Sequence, residues 1–272
     1  MSIFHAIVLG IVQGLAEYLP ISSSGHLVLV PWLFGWEDFA NDESLKKTFD
    51  VALHLGTLAG AVMYFRSDIR RLVRAAILDP KRKDGRLAWL IALSAVPAAI
   101  TGALFSSWIE ERTDQIWTIA VMLIVGAIAL AWADGALGKR TVDEVRVKDS
   151  LVIGIGQALA LQPGVSRSGV TMTIGRLMGL GRDAAARFAF LMSLPITAGA
   201  LLYKGLDVRG DGGIPEDMQG AFAAGIVASA ITGYIAVWGT LKLVRSRSFA
   251  PFVLYRIILG VIVLGILATP WR

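Results

Sequence analysis

The chain has 272 residues, 55% of them hydrophobic and only 17% charged, with a mean hydropathy of +0.64. Soluble domains carry about a quarter charged residues, and the deficit here falls in long uncharged windows, which excludes disorder and an ordinary soluble globule and points to a membrane protein. The absence of cysteine excludes a disulfide framework, a thiolate metal site and a cysteine nucleophile. The net charge of +5 is what juxtamembrane Lys and Arg produce, so nucleic acid is not an expected partner.

A membrane crossing needs about 20 apolar residues. In chain order, the first apolar stretch, Ile3 to Trp36, is interrupted at Leu19-Pro20-Ile21-Ser22-Ser23-Ser24-Gly25. It carries Gln13 and Glu17 and lacks a basic leader, so it does not read as a signal peptide. Three predicted spans follow: Val51 to Phe65, Leu87 to Ile109 and Gln115 to Ala133. A second interrupted stretch, Leu151 to Leu180, is broken at Gln162-Pro163-Gly164-Val165-Ser166-Arg167-Ser168-Gly169. Phe188 to Tyr203, Met218 to Leu241 and Phe252 to Trp271 complete six predicted spans, the last containing Arg256. Trp32, Trp36, Trp108 and Trp271 fit interfacial anchors. Irregular backbone at membrane depth survives only where protein or a watery cavity surrounds it, so each interrupted stretch reads as a re-entrant hairpin.

Lys and Arg favour cytoplasmic connections. Arg66 to Arg86 is basic and reads as inside; the segment with Glu110, Glu111, Arg112 and Asp114 reads as outside. Asp134 to Ser150 and the region of Arg176, Arg182 and Arg187 are both basic, so Leu151 to Leu180 must enter and leave on the inner face. The acidic connection with Asp207, Asp211, Glu216 and Asp217 reads as outside, Lys242, Arg245 and Arg247 as inside, and the connection with Glu37, Asp38, Asp42 and Glu43, like both termini, as outside.

Sliding the chain by 144 residues aligns Gly10 to Ala16 with Gly154 to Ala160 and Ser22-Ser23-Ser24-Gly25 with Ser166-Arg167-Ser168-Gly169. Ala59 to Tyr64 then matches Ala198 to Tyr203, and Ala99 to Gly102 matches Ala230 to Gly233. The expected architecture is all-α: one membrane domain over residues 1–272, with halves of approximately 1–134 and 149–272. Each half holds one re-entrant hairpin and three spans. Three crossings invert the second half, giving an inverted-topology repeat whose two breaks meet near mid-membrane.

The first break supplies Gln13, Glu17, Ser22, Ser23, Ser24 and His26, and polar side chains inside a membrane are functional suspects. Serines there also cap half-helices. His5 and His54 read as packing or interfacial residues, with His54 a weak further candidate. The second break places Arg167 between Ser166 and Ser168, with Thr171 one turn on. A guanidinium, hydroxyls and helix-opening amides form a seat for a phosphate. Serine needs a neighbouring base, such as His26, to become a nucleophile. Glu17 and Gln13 offer oxygen ligands for a divalent cation, Mg or Ca. The parts are those of phosphoryl transfer.

On these residues the chain resembles the bacterial undecaprenyl-diphosphate phosphatase family linked to bacitracin resistance. Gln13 and Glu17 continue into Pro20-Ile21-Ser22-Ser23-Ser24-Gly25-His26, and Pro163 through Thr171 match a Pro-Gly-x-Ser-Arg-Ser-x-x-Thr signature at every fixed position. The resemblance implies a multi-pass enzyme of the bacterial cytoplasmic (inner) membrane whose site opens to the outer, periplasmic face. It would convert undecaprenyl diphosphate to the monophosphate carrier for cell-wall synthesis. Ser23 would be the nucleophile, His26 its base, Glu17 a positioning or metal-linked carboxylate and Arg167 the phosphate clamp, with Ser166, Ser168 and Thr171 assisting. Either Ser23 or His26 remains open as the group that receives the phosphoryl. Gln13 stands where many members carry a second glutamate. Expected partners are a polyprenyl diphosphate and membrane lipids, and a homodimer is admitted. The rival class is a secondary transporter or flippase of a lipid phosphate or small anion, since inverted repeats with broken helices also build those.

Overall fold

The structure is a computed structural model that describes residues 1–39, 42–110, 115–210 and 213–269, with the side chains of 105–110 and 206–210 left undescribed. The Pro and Gly breaks end helices as the sequence requires. Helix α1 (Ile3–Tyr18), capped by the Ser2 hydroxyl, stops before Leu19, which is extended because the following Pro20 disfavours helical backbone. The chain turns and resumes as α2 (Ser23–Phe34), which ends at the left-handed Gly35. In the second half, α6 (Val147–Ala158) tightens into a single 3₁₀ turn over Leu159–Leu161, breaks at Pro163-Gly164, and restarts as α7 (Arg167–Leu177). These four helices have 16, 12, 12 and 11 residues. At about 1.5 Å per residue none reaches the ~30 Å of a hydrocarbon core.

Among the described residues, six helices are long and apolar enough to cross a membrane. They are α3 (Glu43–Leu78), α4 (Lys83–Glu110), α5 (Ile116–Asp134), α8 (Arg182–Gly210), α9 (Gln219–Val244) and α10 (Ala250–Leu267). Each overlaps one of the six spans expected from the sequence: α3, α4 and α8 contain theirs whole, α5 and α9 begin one residue after the expected start, and α10 ends at Leu267, short of the expected Trp271. No strand occurs among the described residues. The helices outrun the apolar windows. Arg66, Arg70, Arg71 and Arg74, counted above as a connection, lie on the last turns of α3, and the connection itself is residues 79–82. Not all counted charges face water either. Arg176 is buried and donates to the carbonyls of Gly138, Leu180 and Asp134, and Arg187 pairs with Asp68 at 2.7 Å. Of the groups read as outside, Glu111, Arg112, Asp114 and Asp211 fall outside the described residues, as does the anchor Trp271, and the side chains of Trp108, Glu110 and Asp207 are among those left undescribed.

Helix α1 lies along α9, α6 along α4, and α5 against α10. The first contact is close because Gly10 and Gly14 form a small-xxx-small stripe: a Cβ on Gly14 would sit 1.9 Å from Thr232 Oγ1. The largest buried cluster, with Tyr18, Phe65, Phe188 and Phe190, backs the breaks, and a second, with Phe49, Leu53 and Phe222, supports α1 from the other end. Outward-facing Trp132, Leu202 and Leu254 leave an apolar exterior. His5 bonds Asp38 at 2.7 Å and stacks on Trp36, a packing role as expected.

Candidate active site

The two breaks meet. Ser22 Oγ accepts from Gly164 N–H at 3.0 Å, and Ser168 Oγ donates to the Leu19 carbonyl at 3.0 Å, so each break holds the other. Both second helices open the same way. Ser22 and Ser166, 144 residues apart, are the only described non-glycine residues with positive φ (78° and 75°), and each hydroxyl caps the amide three residues on, Gly25 or Gly169. Such backbone costs about 1–3 kcal/mol and persists only where its surroundings hold it. The arrangement leaves the opening amides of α2 and α7 without helical carbonyl partners. Gly164 (φ 92°) must be glycine, since a Cβ there would also lie 2.6 Å from the Ile119 carbonyl.

Glu17 stands at the centre, buried on the penultimate turn position of α1. Its Oε2 accepts from Ser23 Oγ at 2.5 Å and from Gln13 Nε2 at 3.2 Å, while Oε1 takes the guanidinium of Arg167. Carboxylate, hydroxyl and guanidinium are thereby gathered from α1, α2 and α7, as the two motifs anticipated. The remaining hydroxyls hold the scaffold: Ser22 and Ser166 are caps, Ser24 lies 3.5 Å from Ser22 Oγ, Ser168 lies 3.2 Å from Ser166 Oγ, and Thr171 donates to the Arg167 carbonyl at 2.8 Å.

His26 does not face the Ser23 hydroxyl. Its Nδ1 lies 2.6 Å from the Ser22 carbonyl, which only accepts, so Nδ1 carries the proton and Nε2 accepts from Tyr255 Oη at 2.7 Å. The two rings are stacked. His54, weak on sequence grounds, approaches the same centre from α3: Nδ1 donates to the Asp50 carbonyl at 2.7 Å and Nε2 sits 3.7 Å from Glu17 Oε2.

Arg256 was legible only as a charge interrupting the last apolar span. It is fully buried and donates to the carbonyls of Pro20, Gly164 and Val165 at 2.9–3.2 Å, and to Met122 and Leu123 of α5. One guanidinium thus ties both breaks to a spanning helix. Tyr255 gave no signal in the sequence beyond its neighbour.

Gln13 is fully buried and its Oε1 has no partner among the described residues. An orphaned amide oxygen beside a carboxylate fits a hard divalent cation such as Mg or Ca, which takes oxygen ligands. No group of three or more His, Cys, Asp or Glu gathers among the described residues, so water and substrate oxygens would complete such a shell.

Comparison with known proteins covers nearly the whole chain. Residues 6–262 match the family model described as bacitracin resistance protein BacA. An undecaprenyl-diphosphatase of Pelobacter propionicus is 48% identical over 99% of this chain and 98% of its own length. Those of Pelotomaculum thermopropionicum and Geobacter sulfurreducens are 45% and 46% identical, each over 98% of this chain and 98% and 99% of their own lengths. With a match of this extent and both signature breaks joined at one centre, the chain belongs to the bacitracin resistance protein BacA family.

Proposed function

We propose that the protein is a membrane undecaprenyl-diphosphatase, hydrolysing undecaprenyl diphosphate to undecaprenyl phosphate and inorganic phosphate and so recycling the lipid carrier for cell-wall synthesis. The observation that carries the chemistry is the convergence of Ser23, Glu17 and Arg167 where the two breaks join. None of the relatives reported above is named as a transporter, and no contact in the site favours that class.

Arg167 and the opening amides of α2 and α7 receive the diphosphate. Ser23 Oγ attacks the terminal phosphorus as its proton passes to Glu17. The anhydride P–O bond breaks, and its electron pair leaves on the carrier phosphate. Water then attacks the phosphoserine, inorganic phosphate departs, and the proton held by Glu17 returns to Ser23 Oγ. Glu17, rather than His26, is the base in this scheme, because the Ser23 hydroxyl already donates to it. His26 positions the opening turn of α2 through the Ser22 carbonyl. A divalent cation held by Glu17 and Gln13 would neutralise phosphate charge.

The paired short helices are re-entrant hairpins in an inverted-topology repeat, the first entering from the outer face of the cytoplasmic membrane and the second from the inner. Their lengths, the shared positive-φ serine caps and the parallel order of elements in the two halves support this. The test is inorganic phosphate release from undecaprenyl diphosphate in detergent, with and without a chelator followed by Mg or Ca. Release that requires Arg167 supports the assignment. Vesicle flux of the lipid without phosphate release would contradict it.

A further inference from the structure

Remote from the catalytic centre, the turn joining α3 to α4 forms one wall of a cavity of about 170 Å³. Lys81, Lys83 and Arg86 supply its basic lining, Leu87 and Leu90 of α4 and Val145 its apolar floor, and Asp143 of the connection between the halves its opposite wall. Lys83 bonds Asp143 at 3.2 Å, which satisfies the acid. Lys81 and Arg86 form no ion pair among the described residues, and the nearby Asp84 is turned to Arg71 at 3.5 Å. Two uncompensated cations therefore converge on one recess. Its surroundings are built for lipid rather than water. Ile77 and Leu78 at the end of α3 are 74% and 64% exposed, and Trp89, whose indole N–H donates to the Ala76 carbonyl, presents an exposed ring beside Arg86. A tryptophan with one face in apolar surroundings and a fixed polar end marks a membrane interface.

We infer that this recess binds the phosphate of an anionic phospholipid headgroup, with Lys81 and Arg86 on the phosphate beside the Lys83–Asp143 pair and the acyl chains lying against Ile77, Leu78 and Trp89. Phosphate among convergent cations is a charge-assisted contact, and basic pockets between membrane helices are a recurring form of headgroup site. Its position at the seam between the α3–α4 turn and the connection leading to α6 means that an occupied site would brace the two halves. The inference is independent of the hydrolase reading.

A diffuse basic surface and a built site predict different responses to equal charge loss. Binding of dioctanoyl phosphatidylglycerol to the full-length protein in a zwitterionic detergent, followed by native mass spectrometry, separates them. Arms with dioctanoyl phosphatidylcholine and with inorganic phosphate identify what is bound. The expected result is saturable phosphatidylglycerol binding, weakened roughly tenfold in Lys81→Gln/Arg86→Gln and unchanged in Arg70→Gln/Arg74→Gln, which removes the same charge from exposed α3 positions outside the recess. Equal loss in both double variants would overturn the site in favour of a general field. Equal binding of phosphatidylcholine, or competition by inorganic phosphate at the concentration of the lipid, would overturn the lipid assignment.

Discussion

Ser23 Oγ donates to Glu17 Oε2 across 2.5 Å, joining the first residue of α2 to the penultimate residue of α1 over the break between them. The contact exists because Pro20 ends one helix and Ser22, at positive φ, starts the next within four residues. A serine is a poor nucleophile without a base in hydrogen-bond reach, and in the proposed scheme that base is the Glu17 carboxylate, which Arg167 and Gln13 hold in turn. Glu17→Gln keeps the shape but removes the proton acceptor, so kcat should fall by about 10²–10⁴. The check is phosphate release by variant protein that elutes as wild type on size exclusion.

Arg167 contacts Glu17 and opens α7, where its fork can address carboxylate and phosphate together. Arg167→Lys preserves the charge but not the planar pair of donors. Activity is expected to fall by about 10²-fold or more in both Arg167→Lys and Arg167→Ala. Near-wild-type turnover in the lysine variant would mean that a point charge suffices.

His54 is the site residue contributed by α3, 3.7 Å from Glu17 Oε2 with its ring fixed by the Asp50 carbonyl. His54→Ala should reduce kcat about tenfold, equivalent to about 1.4 kcal/mol, with little change in KM, because in the proposed scheme His54 acts through Glu17. His54→Gln should recover part of the loss. Steady-state kinetics on the two variants decide it.

Much of this was readable from residue order, for identifiable reasons. Span positions follow from uncharged windows, and the breaks from Pro20 and from Pro163-Gly164, whose backbone limits are local. Glu17, Ser23 and Arg167 stood out because polar groups are costly in apolar sequence. What the sequence hid depends on side-chain direction and long-range approach. His26 follows Ser23 by three residues, yet its ring turns to Ser22 and Tyr255. His54 reaches Glu17 only because α3 packs beside α1. The basic count over Arg66 to Arg86 gave no hint that α3 continues as helix to Leu78.

Arg256 supplies the clearest stability prediction. Replacing it with Met leaves the break carbonyls of Pro20, Gly164 and Val165 without this donor, at about 1–3 kcal/mol for each buried group left unpaired. Arg256→Lys cannot reproduce five bonds from a planar fork. Both variants should unfold at lower temperature in detergent and lose activity together. A variant with unchanged melting and unchanged turnover would remove Arg256 from the framework of the site.

The most direct measurement is phosphate release from undecaprenyl diphosphate by Ser23→Ala in detergent, beside wild type and with folding verified by thermal melting. Removing the hydroxyl that bonds Glu17 should abolish turnover while the melting temperature stays near wild type. Turnover at the wild-type rate would contradict the assignment of Ser23 as nucleophile and, with it, the catalytic centre at the joined breaks.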